Sequence, residues 1–213
     1  GGVYFETPDF LNSSHTITDA EDCAAYLDRL AAMATALDNE TAWQKKEAAR
    51  GYVAPGWSLD LTLGQMAKLR DPAAAENGLT KSLVTRAAKA NIPGDWQAKA
   101  SAIVEKQVYP ALDRQIALIR ELRAHGRTDD GLWAVPRGEE IYAAALAEAT
   151  TTKFTPDEVH RMGLDQVASI TAELDTILKA NGLTKGSVAD RLNALNVRPD
   201  QLYPDTDAGR AQL

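Results

Sequence analysis

The residues best suited to metal chemistry are three histidines, His15, His125 and His160, and one cysteine, Cys23. Two imidazoles one helical turn apart, with a glutamate between them to activate water, would make a zinc hydrolase. No two of these histidines lie four residues apart, so that arrangement is absent. The lone cysteine excludes an internal disulfide and a multi-thiolate site, and Cys23 is expected to be a small buried apolar residue on a helix. His15 and His125 read as surface or core-edge residues. His160 follows Val159 on the apolar side of a well-started helix, which places it at the edge of the core, as a packing histidine or as a site residue.

Other chemistries find no support. The glycines are scattered and form no phosphate-binding loop. Neither Ser13-Ser14 nor Ser101 has the flanking glycines of a nucleophile elbow. Glu139 and Glu140 are neighbours, but adjacent helical residues point about 100° apart, so they cannot act as one acid–base pair and read as dipole-stabilising charges. Thr150-Thr151-Thr152 is unusual between two helices and reads first as a hydroxyl-rich connector that satisfies helix-end groups.

The elements that must carry these residues are helices. Thr18 with Glu21 reads as a capping box, followed by a stripe of Ala24, Leu27, Leu30, Ala31 and Ala34. A second helix is expected from about Asn39 to Arg50, closed by Gly51. Helices over Leu59–Leu69 and Leu79–Ala90 follow. The run Asp95–Ala124 has Val104, Val108, Leu112, Ile116 and Ile119 on one face, and Pro110 inside it predicts a kink or break. Gly131–Pro136 is the one short extended candidate, followed by a helix over Gly138–Ala149. Thr155-Pro156-Asp157-Glu158 is the clearest helix start in the chain, and it opens a stripe from Val159 to Leu178 that Gly182 ends. A short helix near Ser187–Leu195 closes the pattern.

No repeat, low-complexity tract or Gly/Ser linker divides residues 1–213, which read as a single segment and an all-α, irregular helical array. With 23 basic against 30 acidic residues the net charge is −7, which argues against nucleic acid or an anionic membrane as partner. No apolar run approaches the roughly 18 residues of a membrane span. The chain opens Gly1-Gly2-Val3-Tyr4 and stops at Leu213, inside what reads as the first turn of a helix from about Asp207. The expectation is an internal piece of a larger domain. Such a piece should keep exposed apolar faces, with Leu59–Leu69 and Ile141–Ala149 as candidates, and it should tend to self-associate.

Several stretches resemble one bacterial family. They are Gly131–Tyr142, Thr150-Thr151-Thr152 and Thr155–Leu164, joined by Pro8-Asp9-Phe10-Leu11 with His15, Asp19–Asp22 with Tyr26–Leu30, and Gly51–Pro55. The chain is similar to the bacterial domain-of-unknown-function family 885 along its whole length. Ile141 departs from the family, which often has a second Tyr there. The resemblance implies a larger, mostly helical fold like that of gluzincin-type zinc metallopeptidases, with a cleft between helical halves and a His-Glu-x-x-x-x-His-type segment further downstream.

The function this implies is a share in a zinc-dependent hydrolase of short peptides, with zinc as the cofactor of the full-length protein and none bound by this chain. The segment would supply scaffold and cleft wall, and His160, Tyr142 and Arg137 are the expected peptide-binding residues. No catalytic residue and no metal ligand is assigned. The alternative is a non-catalytic helical module that binds a protein or peptide. The resemblance favours a periplasmic or exported location, with the cytoplasm as the alternative.

Overall fold

The computed structural model describes residues 2–212, so Gly1 and Leu213, the ends on which the reading of a cut segment drew, lie outside it. Helix accounts for 73% of the chain and no strand occurs among the described residues, an all-α fold. Two compact units follow one another, Gly1–Glu139 and Glu140–Leu213.

The first unit is built around α2, Ala20–Ala49, a single long helix where two were expected. Its buried face carries Cys23, Tyr26, Leu27, Leu30, Met33, Ala34 and Leu37. The cap is Asp19 rather than Thr18: its carboxylate accepts from the N–H groups of Glu21 and Asp22, both at 2.9 Å. Thr18 is instead tied by Asp22, which accepts from its N–H at 2.8 Å and its hydroxyl at 2.6 Å. At the other end Gly51 takes φ +91°, and the Gly51 and Tyr52 N–H groups close on the carbonyls of Ala48 and Glu47. That left-handed closure is the one expected of Gly51.

Helix α1, Val3–Ser13, went unread in the sequence; Leu11 anchors it in the core. Helices α3, Gly56–Arg70, and α4, Gly78–Lys89, lie where the apolar spacing placed them. Leu59 and Met66 of α3 are buried, so the expected open face there reduces largely to Leu61.

The long run that follows stays helical throughout but is disturbed just before Pro110. Helix α5, Trp96–Ile103, passes into a π-helical turn, Val104–Val108, and then into α6, Tyr109–Ala124. Because Pro110 has no N–H to give one turn back, the ladder lengthens by one residue there, and Tyr109 N–H reaches the carbonyl of Val104. Helix α6 packs on α2 and α3. Arg114 with Asp38 and Arg123 with Asp60 pair across these contacts, both at 2.7 Å, as does Arg70 with Asp113. All three pairs are well exposed, so they set register more than they add stability.

Gly131–Pro136, expected to be extended, instead holds a 3-10 turn at Leu132–Ala134. Arg127 fixes the loop by donating to the carbonyls of Gly131 at 3.0 Å and Val53 at 2.9 Å, while Trp57 Nε1 donates to Asp130 at 2.8 Å. The backbone at Gly138 comes so close to the Leu132 carbonyl that a Cβ would lie 1.9 Å from that oxygen, so only glycine fits.

The second unit comprises most of α7, Gly138–Thr150, with α8, Pro156–Ala180, α9, Val188–Asn196, and the short α10, Asp207–Arg210. Thr155 and Glu158 form the expected capping box, with Glu158 accepting from Thr155 N–H at 2.7 Å. Ser187 and Asp190 form a second. Helix α9 is fastened to α8 by the buried Arg191, which reaches Asp175 at 2.5 Å and the Leu183 carbonyl at 3.0 Å.

Candidate functional site

The residues singled out by type and spacing fall in two sets. The first, the expected peptide contacts, is divided between the two units. Arg137 stands on a left-handed bend, φ +54°, directly before Gly138 in the first unit. Tyr142, on the first turns of α7, is half exposed, and His160, on the second turn of α8, is exposed. Both belong to the second unit. His160 therefore does not sit at a core edge within this chain.

Between α7 and α8 the three threonines bind largely one another and their own helix end. Thr150 donates to the Leu146 carbonyl and meets the Thr152 hydroxyl, both at 2.8 Å; Thr151, at φ +53°, donates to the Thr150 carbonyl at 2.7 Å. Thr152 also accepts from Phe154 N–H at 3.3 Å. This is the connector reading of the triplet, with hydroxyls absorbed by helix-end groups.

The second set is a buried polar cluster in the first unit. His15, expected at the surface or the core edge, is 4% exposed. Arg29 donates to its Nδ1, which assigns the proton to Nε2, and Nε2 donates to the Asp22 carbonyl at 3.0 Å. Its ring meets Tyr26 edge-on at 5.4 Å. Arg86 donates to the carbonyls of Leu11, at 2.8 Å, and His15, so a guanidinium closes the C-terminal end of α1, where the helix dipole favours positive charge. Burial pushes the Tyr26 phenol up to about 12, and Tyr26 donates to the Leu79 carbonyl at 2.8 Å. Burial likewise pushes the Cys23 thiol up, as suits an inert core residue. With both nitrogens engaged, His15 is a structural histidine.

Beside this cluster a groove runs between α1, α3 and α4. Two adjoining hollows of about 300 and 420 Å³ share Pro8, Asn12, Leu69 and Gly78. Tyr4 and Gln65 cross its rim through a 2.7 Å hydrogen bond. Asn77 stands at its floor, 1% exposed: its Oδ1 accepts from Leu79 N–H at 2.9 Å, while Nδ2 donates to the Leu69 carbonyl at 2.6 Å and to the Tyr109 hydroxyl at 3.0 Å. Neither Asn77 nor Arg86 was singled out from the sequence; the Asn-Gly step before an apolar run was the available sign of a cap at Asn77.

The donor set does not fit zinc. Among the described residues no three His, Cys, Asp or Glu side chains are grouped so as to hold a metal ion. What the buried cluster and the groove beside it offer is shape and hydrogen bonding. Among the described residues no helix is long and apolar enough to cross a membrane.

The pattern of a family described as bacterial protein of unknown function, DUF885, matches residues 1–213. Among solved structures, the chain is similar over 100% of its length to the crystal structure of the "putative lipoprotein" from Colwellia psychrerythraea, with a TM-score of 0.90 and 25% identity. It spans 37% of that protein. No protein of curated description matches.

Proposed function

The chain belongs to the DUF885 family over its whole length, and from that premise we propose that it is a scaffold and cleft-wall segment of a peptidase-like hydrolase acting on short peptides. The observation that carries the reading is the placement of the family stretch Thr155–Leu164. It opens α8 with a full capping box and leaves His160 exposed on a rigid helix, one turn from its start and without a core role. Tyr142 is displayed in the same manner on α7. An imidazole and a phenol suit a peptide, with a carbonyl to receive a hydrogen bond and an apolar side chain to cover.

Zinc, which the resemblance implies, would supply the water-activating chemistry in a family-length protein, and the residues holding it would lie outside this segment. Export to the periplasm agrees with the description of the Colwellia protein as a lipoprotein. The test is a zinc-loaded, family-length protein carrying this segment, assayed against short unblocked peptides. Release of single residues is expected, with His160→Ala raising KM more than it lowers kcat. Absence of hydrolysis by the zinc-loaded protein refutes the reading.

The second reading is a non-catalytic helical module that binds a peptide or protein. Peptide binding that persists with no turnover under zinc would select it.

A further inference from the structure

Helix α8 carries a face with nothing in the second unit to cover it. Met162, Val167, Ile170 and Ile177 fall on one side at helical spacing, yet they are 39–65% exposed. Among the described residues of this unit, Leu178, beside α9, is the one buried hydrophobic side chain. Units of this size ordinarily need a larger core, a metal or cross-links to stay folded.

The occupant can be narrowed by charge. The other side of α8 bears Asp157, Glu158, Asp165 and Asp175 against Arg161 and Lys179, and Glu173, three residues after Ile170 and four before Ile177, adds a carboxylate on the stripe itself. A helix that lies on an anionic membrane needs a basic polar face, which this is not. Two copies of α8 set face to face would bring acidic flanks together in a chain of net charge −7, which disfavours a second copy. The chain matches the Colwellia protein over 100% of its own length while spanning 37% of that protein, so a family-length chain carries much further polypeptide with faces of its own to bury.

We propose that the α8 stripe is the seat of a helical element from the part of a family-length chain beyond the shared segment. That element is apolar at helical spacing where it meets Met162, Val167, Ile170 and Ile177, and neutral or basic along its flanks. The proposal rests on family membership and not on the peptidase reading.

Hydrogen exchange, measured on this chain and on the Colwellia protein, tests it, because superposition identifies the α8 counterpart there. In the 213-residue chain the amides of 162–177 should exchange at least tenfold faster than those of the α2 core, at every protein concentration. In the Colwellia protein the counterpart helix should be slowed to the level of its α2 counterpart. Fast exchange of that counterpart, or α8 as protected as α2 in a monomeric 213-residue chain, overturns the proposal. Protection that rises with concentration and is lost in Ile170→Glu makes the stripe a dimer face, and protection gained on adding phosphatidylglycerol vesicles makes it a membrane face; either result also overturns it. None of these readouts involves zinc or hydrolysis, so failure of the peptidase reading would leave the outcome intact.

Discussion

Replacing Asn77 with alanine should unfold the first unit at markedly lower temperature. One side chain, 1% exposed, serves three helices at once: Oδ1 caps α4, and Nδ2 bridges the Leu69 carbonyl of α3 and the Tyr109 hydroxyl of α6. Loss of the cap costs about 1 kcal/mol. The Leu69 carbonyl, left without that donor in a part-buried position, adds about 1–3 kcal/mol. Tyr109 keeps a partner, since its hydroxyl donates to the Pro72 carbonyl at 2.5 Å, so its loss is smaller. The total is about 3 kcal/mol, which lowers Tm by roughly 10 °C in a unit of this size. Thermal unfolding followed by far-UV circular dichroism reads this directly. Asn77→Asp separates the terms: it retains the cap acceptor but turns an oxygen toward Leu69, so it should recover little of the loss. A Tm within 2 °C of the parent for Asn77→Ala, or full recovery in Asn77→Asp, would refute the three-helix role.

Thr155→Ala should cost about 1 kcal/mol by removing the α8 cap, seen as earlier fraying of amides 156–160 in hydrogen exchange. Hydrogen bonds from Thr155 N–H and hydroxyl hold the Glu158 carboxyl below its ordinary value of 4.5. Its contribution to the capping box is therefore present above that value and lost as pH falls through the depressed one. The Thr155 amide should lose protection in that acid window, and Glu158→Gln should remove the pH dependence. Tyr26, raised to about 12 by burial, stabilises the fold fully below pH 10 and ceases to do so as pH rises through its folded value. Ultraviolet titration should show one phenol ionising late, and Tyr26→Phe should abolish that lag. Arg191→Met should release α9, with amides 188–196 exchanging at nearly unfolded rates while α2 is unaffected.

Local chemistry was legible in the sequence wherever a structure is decided within a few residues. The capping box at Thr155, the closure at Gly51 and the disturbance at Pro110 each follow from bonds spanning four or five positions. The misreadings arise where a distant residue decides. Two helices were expected, the second from about Asn39, but Asp38 pairs with Arg114, and Glu40 receives Val3 N–H and the Gln115 amide across the fold, so one helix runs through. His15 looked superficial because Arg29 and the Asp22 carbonyl, which fill its two nitrogens, become neighbours only once α1 docks on α2. Asp19 prevailed over Thr18 as cap because its carboxylate accepts two N–H groups at once. At the candidate site the residue types were readable, and their exposure was not: whether His160 faces a core depends on what packs against α8.

The π-helical turn at Val104–Val108 marks where the chain can give up a residue. Buried residues Ala100, Val104, Val108, Leu112 and Ile116 recur at intervals of four. In an unbroken α-helix each such interval drifts about 40° around the axis, so the row would wind off the core within two or three turns. The wider turn absorbs that drift. Deleting one residue between 104 and 108 would turn the π-helical turn into an α-helical one and leave α6 in nearly its present phase, because the step removed is the one the wider turn already holds back. Asp113, Arg114 and Arg123 would keep Arg70, Asp38 and Asp60. The same deletion within the regular turns of α6 would rotate everything after it by about 100° and part the pairs beyond it.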